Sequence, residues 1–235
     1  MQANYSPYRT LIIQGDKLTR LLQTVAKFPV RRNFYVDLDA FIEGNASPEV
    51  LLLYGVRRTG KTTAMLQAIV HLSEEERQKA VFFQVRKSRK TRDCLISGDT
   101  VQDIQEDIGR LLEEGKKYFF VDEATRLIDF QYGADVFADV LAMSGGKIVL
   151  SGTDSLCLDD ARKDALSGRA FSANTSHIFF AEWSDICGSD SVEDFAKYGG
   201  VLGNSKQIQQ LFGSPNSCEE YIQSAYAQNL EHSIS

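Results

Sequence analysis

Val50-Leu-Leu-Leu-Tyr54-Gly55-Val56-Arg57-Arg58-Thr59-Gly60-Lys61-Thr62-Thr63 is the stretch whose reading decides the fold. The spacing Gly55-x-x-x-x-Gly60-Lys61-Thr62 is that of a P-loop. Its flanks fit that reading. Val50 to Tyr54 is short and nearly all apolar, as a strand buried on both faces requires. After the loop, Met65, Leu66, Ile69 and Val70 recur at helical spacing. Strand, glycine loop and helix together let loop N–H groups converge on phosphate oxygens at a helix N-terminus that favours anions. The whole loop, Gly55 to Thr63, is the expected nucleotide-binding segment. Lys61 is expected at the β- and γ-phosphates, and the Thr62 hydroxyl at Mg²⁺. A chance turn with a glycine at each end is the plain alternative, and the flanking elements weigh against it.

Upstream, Leu18, Leu21, Leu22 and Val25 mark a helix within 11–27 that ends near Pro29, after a polar, loose start over 1–10. Val36 to Phe41 reads as a short helix, and Gly44-Asn-Ala-Ser-Pro48 as a loop. Downstream, Ala80 to Val85 is a second buried strand. It runs into Arg86-Lys87-Ser-Arg89-Lys90-Thr-Arg92, five basic residues without an acid. Ser97-Gly98-Asp99 opens a helix with Val101, Ile104, Ile108, Leu111 and Leu112 on one face, closed by Gly115. Lys117 to Val121 is a third strand. An amphipathic helix over 134–143 follows, then a fourth strand, Lys147–Ser151. A helix over 155–166 leads to a fifth strand at His177–Phe180. Strands alternating with helices predict a five-stranded, mostly parallel sheet with helices on both faces. From Glu182 the pattern is helical only: Val192–Tyr198, 205–212 and Cys218–Leu230, with Tyr198-Gly-Gly-Val-Leu-Gly203 as a hinge-like break.

The other half of the site is read from Phe119-Phe120-Val121-Asp122-Glu123. Acids at the C-terminal end of a parallel strand lie where ligands bind in open α/β sheets. Asp122 is the expected Mg²⁺ residue and Glu123 the general base for the attacking water. A helix N-cap would be the bland reading of the same pair. The fourth strand ends Ser151-Gly-Thr153-Asp-Ser155. Thr153, ahead of Ser151 and Ser155, is the hydroxyl expected between base and γ-phosphate, with an N-cap again the alternative. Arg169, in Leu166-Ser-Gly-Arg169, supplies a planar guanidinium suited to phosphate oxygens of its own site or a neighbour's.

Gly-x-Arg-Arg-x-Gly-Lys-Thr, apolar-Asp-Glu, Ser-Gly-Thr-Asp-Ser, Leu-x-Gly-Arg and Tyr-Gly-Gly, in that order, resemble the prokaryotic predicted AAA+-superfamily ATPases. Tyr221-Ile-x-x-Ala225 and Asn229-Leu-x-x-Ser233 are similar to their post-core helix. The resemblance covers about 50–233 and implies an ATPase core with ATP/ADP and Mg²⁺ as cofactors. In it Lys61, Thr62, Asp122 and Glu123 keep their roles, joined by Thr153 and Arg169. It also implies a further C-terminal domain, so the chain reads as a truncated piece. It departs from the family at Phe179-Phe-Ala-Glu-Trp183, where aromatic-Pro-Leu-Ser-Phe-x-Glu is usual. The expected domains are an N-terminal helical extension (1–49), a P-loop ATPase core (50–183) and a helical appendage or lid (184–235).

Net charge of −6 argues against general nucleic-acid binding. The basic run 86–92 leaves a local patch open, although the acid-rich helix after it makes a solvated loop the simpler account. No apolar run reaches the ~20 residues of a membrane span, and no apolar signal segment begins the chain. Cys94, Cys157, Cys187 and Cys218 form no Cys-x-x-Cys pair. They read as free thiols of a cytoplasmic protein. His71, His177 and His232 show no metal-ligand spacing and read as structural or exposed, and Trp183 as a packing anchor. The leading expectation is Mg-dependent ATP hydrolysis driving a conformational change on a protein partner, a second copy or an attached domain. The alternatives are a nucleotide-loaded switch with little turnover, for which Glu123 would be dispensable, and a small-molecule kinase, which usually lacks the Asp-Glu pair.

Overall fold

The computed structural model describes residues 8–44, 49–87, 99–142, 144–175 and 178–198, with Leu202 and Gln223. In chain order the elements are β1 (Tyr8–Ile13), α1 (Gly15–Gln23), α2 (Tyr35–Glu43), β2 (Val50–Tyr54), α3 (Lys61–His71), α4 (Glu74–Gln78), β3 (Ala80–Lys87), α5 (Val101–Glu113) and β4 (Tyr118–Asp122). There follow α6 (Phe130–Gly133), α7 (Asp135–Leu141), β5 (Lys147–Gly152), α8 (Ser155–Lys163), β6 (Ala170–Asn174), α9 (Phe180–Cys187) and α10 (Val192–Tyr198). Among the described residues one six-stranded sheet runs β1-β3-β4-β5-β2-β6. Every pairing is parallel except β1 with β3.

Two apolar layers sandwich the sheet, and strand periodicity assigns side chains to them. Val50 and Leu52 of β2 face a layer with Phe83, Phe119, Leu150 and the apolar faces of α5 to α8. Leu51 and Leu53 face the opposite layer, with Phe82, Phe120, Leu38, Met65 and Ile69 from α2 and α3. The central strands are buried on both sides, which is why they read as unbroken apolar runs.

The structure corrects the expected sheet at both edges. The loose start predicted for 1–10 and the helix predicted from 11 give way to β1, with α1 beginning only at Gly15. The apolar part of β1, Leu11-Ile12-Ile13, is short and merges into the leucine spacing of α1. Its partner strand β3 lies far downstream, so no local signal marks it. At the other edge, the fifth parallel strand is Ala170–Asn174, not His177–Phe180. An edge strand with one wet face needs few apolar residues, and Ala170, Phe171, Ser172 and Asn174 are not buried. Phe180 instead opens α9, stacks on Trp183 at a ring distance of 6.5 Å and meets Phe195 edge-on at 5.4 Å. Trp183 is wholly buried, the anchor expected of it. The helices predicted at 205–212 and, Gln223 apart, 218–230, the loop residues 45–48, the basic run beyond Lys87, His177, His232, Cys94 and Cys218 lie outside the described residues.

Asp99 fastens β1. Its carboxylate accepts from the Thr10 backbone N–H and pairs with the Arg9 guanidinium. One residue on, Thr100 and Asp103 close a capping box at the start of α5. Asp99→Ala would leave the Thr10 N–H without its acceptor. It should lower unfolding stability by about 1–3 kcal/mol, read as a reduced urea midpoint at unchanged slope.

Candidate nucleotide site

Parallel register decides which strand ends meet. Tyr54, the last residue of β2, pairs with Gly152 of β5 and Asn174 of β6. Asp122 ends β4 at the same edge, two strands from β2. The loop after β2, the acids after β4, the hydroxyls at the end of β5 and Thr175 after β6 therefore line one rim of the sheet.

In the loop, Gly60 takes φ +90 and caps α3, a conformation costly for residues with a Cβ. Lys61 follows directly, and its ammonium is buried. It donates to the carbonyls of Gly55 and Val56 at 2.6 and 2.7 Å. Burial pushes its pKa down to about 8, against the pull of Glu123 and Asp122. Thr59 is folded inward, its hydroxyl donating to the Val56 carbonyl and meeting that of Thr175 at 2.8 Å. Arg57 is partly buried, whereas Arg58 is exposed and carries a positive φ of 66.

Asp122 is buried at the end of β4 and surrounded by hydroxyls. Thr62 donates to its two oxygens at 3.1 and 2.9 Å, and Ser151 donates at 2.7 Å. Burial raises the Asp122 carboxyl above its ordinary range, while both hydroxyls oppose that shift. Thr62 and Asp122 thus present hard oxygen donors at one point, a set suited to Mg²⁺. Glu123 has a left-handed backbone, φ 61. Such a conformation costs roughly 1–2 kcal/mol in a residue with a side chain. Its N–H donates to Ser151 Oγ at 3.1 Å, and its carboxylate takes Thr153 Oγ1 at 3.3 Å and Arg126 Nε at 3.4 Å. The N-cap of α8 is Asp154, which accepts from the Cys157 N–H, so capping is not the work of Thr153. Gly152 is required by space: a Cβ there would lie 2.5 Å from Thr125 Cγ2.

The structure therefore brings Lys61, Thr62, Asp122, Glu123 and Thr153 to one rim. Arg169 is elsewhere. It precedes Ala170, which pairs with Val50 at the start of β2. About five residues of strand, ~16 Å, separate that level from the P-loop. Its guanidinium pairs with Asp139 of α7 and donates to the Ala165 carbonyl. Of two further participants, one stands behind Thr153 in the sequence reading and the other escapes it. Ser151 joins Asp122 to the Glu123 backbone, and Arg32 reaches the loop from before α2. The Ser151 signal was present, since a hydroxyl ending a central strand has few other partners. Arg32 carried no signal, because its partners lie in three distant segments. At the rim opposite the P-loop, His71 lies 3.9 Å from Asp39, with Arg31 3.2 Å from its ring nitrogen, so basic and acidic groups already offset one another there.

A mostly parallel sheet of this order, with a P-loop after one inner strand and an acid pair two strands away, defines a nucleotide-binding P-loop fold of the AAA+ type. The chain belongs to the AAA domain family, whose profile matches residues 47–184. Among solved structures, the Hsp104:casein complex of S. cerevisiae in its extended conformation is similar over 94% of this chain and 41% of that one, at 15% identity and TM-score 0.51. C. elegans PCH-2 is similar over 79% of this chain and 48% of that one, at 19% identity and TM-score 0.39. The chain thus spans less than half the length of these structures. No curated protein matches it. No helix among the described residues is long and apolar enough to cross a membrane.

With Lys61 at the phosphates, as the sequence leads one to expect, the buried ammonium would make nucleotide affinity depend on pH. Phosphate charge favours the protonated lysine, so the bound-state pKa must exceed the free-state value of about 8. Between the two values binding takes up a proton. The Kd for ATP should be flat below pH 8 and rise by up to about tenfold per pH unit above it. Titration with a fluorescent ATP analogue from pH 7 to 9.5 would test this.

Proposed function

We propose that the protein binds ATP with Mg²⁺ and hydrolyses it, using the cycle to drive a conformational change on a protein partner, a second copy of itself or an attached domain. The observation that carries this reading is the convergence of Lys61, Thr62, Asp122 and Glu123 at one rim of the sheet, with Ser151 and Thr153 holding the two acids. In this reading Thr62 and Asp122 would hold Mg²⁺, which when bound would offset phosphate charge. Lys61 moves from the loop carbonyls to the β- and γ-phosphates. Water attacks the γ-phosphorus, its proton passes to Glu123, and the bond to the ADP oxygen breaks. Thr153 orients the Glu123 carboxylate. A nucleotide switch would not need a strained acid beside the buried Asp122, and that strain favours turnover. The proposed division keeps 50–183 as the ATPase core, to which β1, α1 and α2 of the expected N-terminal extension add an edge strand and part of one apolar layer, and takes 184–235 as a helical appendage. Leu202 lies beside the loop, its Cδ1 3.1 Å from where a Cβ at Gly60 would stand. Nucleic acid is the less favoured partner class, and the cytoplasm the expected compartment.

Glu123→Gln should bind ATP within a few-fold of wild type and lose about 10²–10⁴ in turnover, because the amide cannot accept the proton. Phosphate release and labelled-ATP binding, measured together, would show it; unchanged turnover would remove Glu123 as base.

The level of Arg169 argues against action on its own phosphates and for action on a neighbouring copy. Arg169→Ala should lose most activity, about 10³-fold or more if it is a finger, and regain part of it when mixed with Glu123→Gln. The Glu123→Gln subunit would then lend its arginine to a site whose Glu123 is present. Phosphate release that does not recover at any mixing ratio would exclude a role in trans.

A further inference from the structure

We infer that Arg32 is a positioning residue for the phosphate loop, holding the Thr59–Gly60 peptide so that the Gly60 N–H faces bound phosphate. This rests on the ATP-binding reading and adds a residue that no motif contains. Arg32 is 5% exposed and Glu182 of α9 equally so. Nε of Arg32 donates to Glu182 Oε1 at 2.6 Å and Nη2 to Oε2 at 3.4 Å. Nη1 donates to the Thr59 carbonyl inside the loop, and both Nη atoms reach the Thr175 carbonyl at 3.4 Å. The Asn33 N–H donates to Glu182 Oε1 at 2.6 Å, fixing the carboxylate from a second side. One planar fork thus joins the segment before α2, the P-loop, the exit of β6 and the first turns of α9.

The effect on the loop follows from peptide geometry. A trans peptide is planar, and its C=O and N–H point in opposite directions. With the Thr59 oxygen drawn toward Arg32, the Gly60 N–H is turned to the other side of the loop. A brace serving stability alone has little reason to be ionic, since desolvating two charges costs several kcal/mol and apolar replacements are often as stable. A guanidinium offers what an apolar plug lacks: several donors in fixed directions, one of them on a loop carbonyl.

The test is a comparison of wild type, Arg32→Met, Arg32→Lys and Glu182→Gln at a temperature where each is folded, titrated with fluorescent analogues of ATP and of adenosine. The expected result is a loss of ATP-analogue affinity of about tenfold or more in Arg32→Met. Recovery should be partial in Arg32→Lys, which keeps the charge but not the fork. Adenosine-analogue affinity should stay within twofold, because only the phosphates feel the loop amide. A lowered melting temperature with unchanged ATP-analogue affinity would reduce Arg32 to a brace and overturn the inference. Equal losses for both analogues would also overturn it. If Arg32→Met does not fold, Glu182→Gln carries the test, since it frees the guanidinium from its anchor and should weaken the ATP analogue selectively. Failure of wild type itself to bind the ATP analogue would instead overturn the ATP-binding reading.

Discussion

The structure depends on the parallel register of β4, β5, β2 and β6. Antiparallel strands would send alternate C-terminal ends to opposite rims. Four strands running the same way place four exits side by side, with crossover helices covering both faces. The groups that meet at the rim from the sheet are all exits: the loop after Tyr54, the acids after Val121, the hydroxyls after Leu150 and Thr175 after Asn174. The same register sends Arg169 to the far rim. One geometric fact thus gathers the loop, the acids and the hydroxyls and separates the arginine from them.

At that rim, charge is made tolerable by hydroxyls. Asp122 is buried, and its oxygens are shared between Thr62 and Ser151. Ser151 uses both its capacities, donating to Asp122 and accepting from the Glu123 N–H. This bridge crosses from β5 to the end of β4, where the chain leaves in a left-handed turn. The strained Glu123 is held from its backbone by Ser151 and from its carboxylate by Thr153 and Arg126.

What the sequence made legible follows from how local each signal is. Gly55 to Thr62 and Val121 to Glu123 are contiguous, and burial on both faces makes β2, β3, β4 and β5 plain apolar runs. Legibility failed where a partner was remote or a face was wet. β1 is defined by a strand beyond the P-loop. β6, with Phe171 and Ser172 exposed, lacks the apolar signature of the stretch His177-Ile-Phe-Phe, whose last residue opens α9. Arg32 is the sharpest case. Its identity in Val30-Arg31-Arg32-Asn33 says nothing of a carboxylate on α9 or of carbonyls in two loops.

β1 has a consequence beyond its six residues. It is the antiparallel strand that covers the outer edge of β3, the longest strand in the sheet. Without it, β3 would present unpaired N–H and C=O groups along a segment containing Phe82, Phe83 and Val85. Such an edge recruits strands from other chains. The N-terminal strand therefore serves as the sheet's guard against self-association, and a fragment cut to begin near the P-loop would keep the nucleotide motif while exposing an aggregation template.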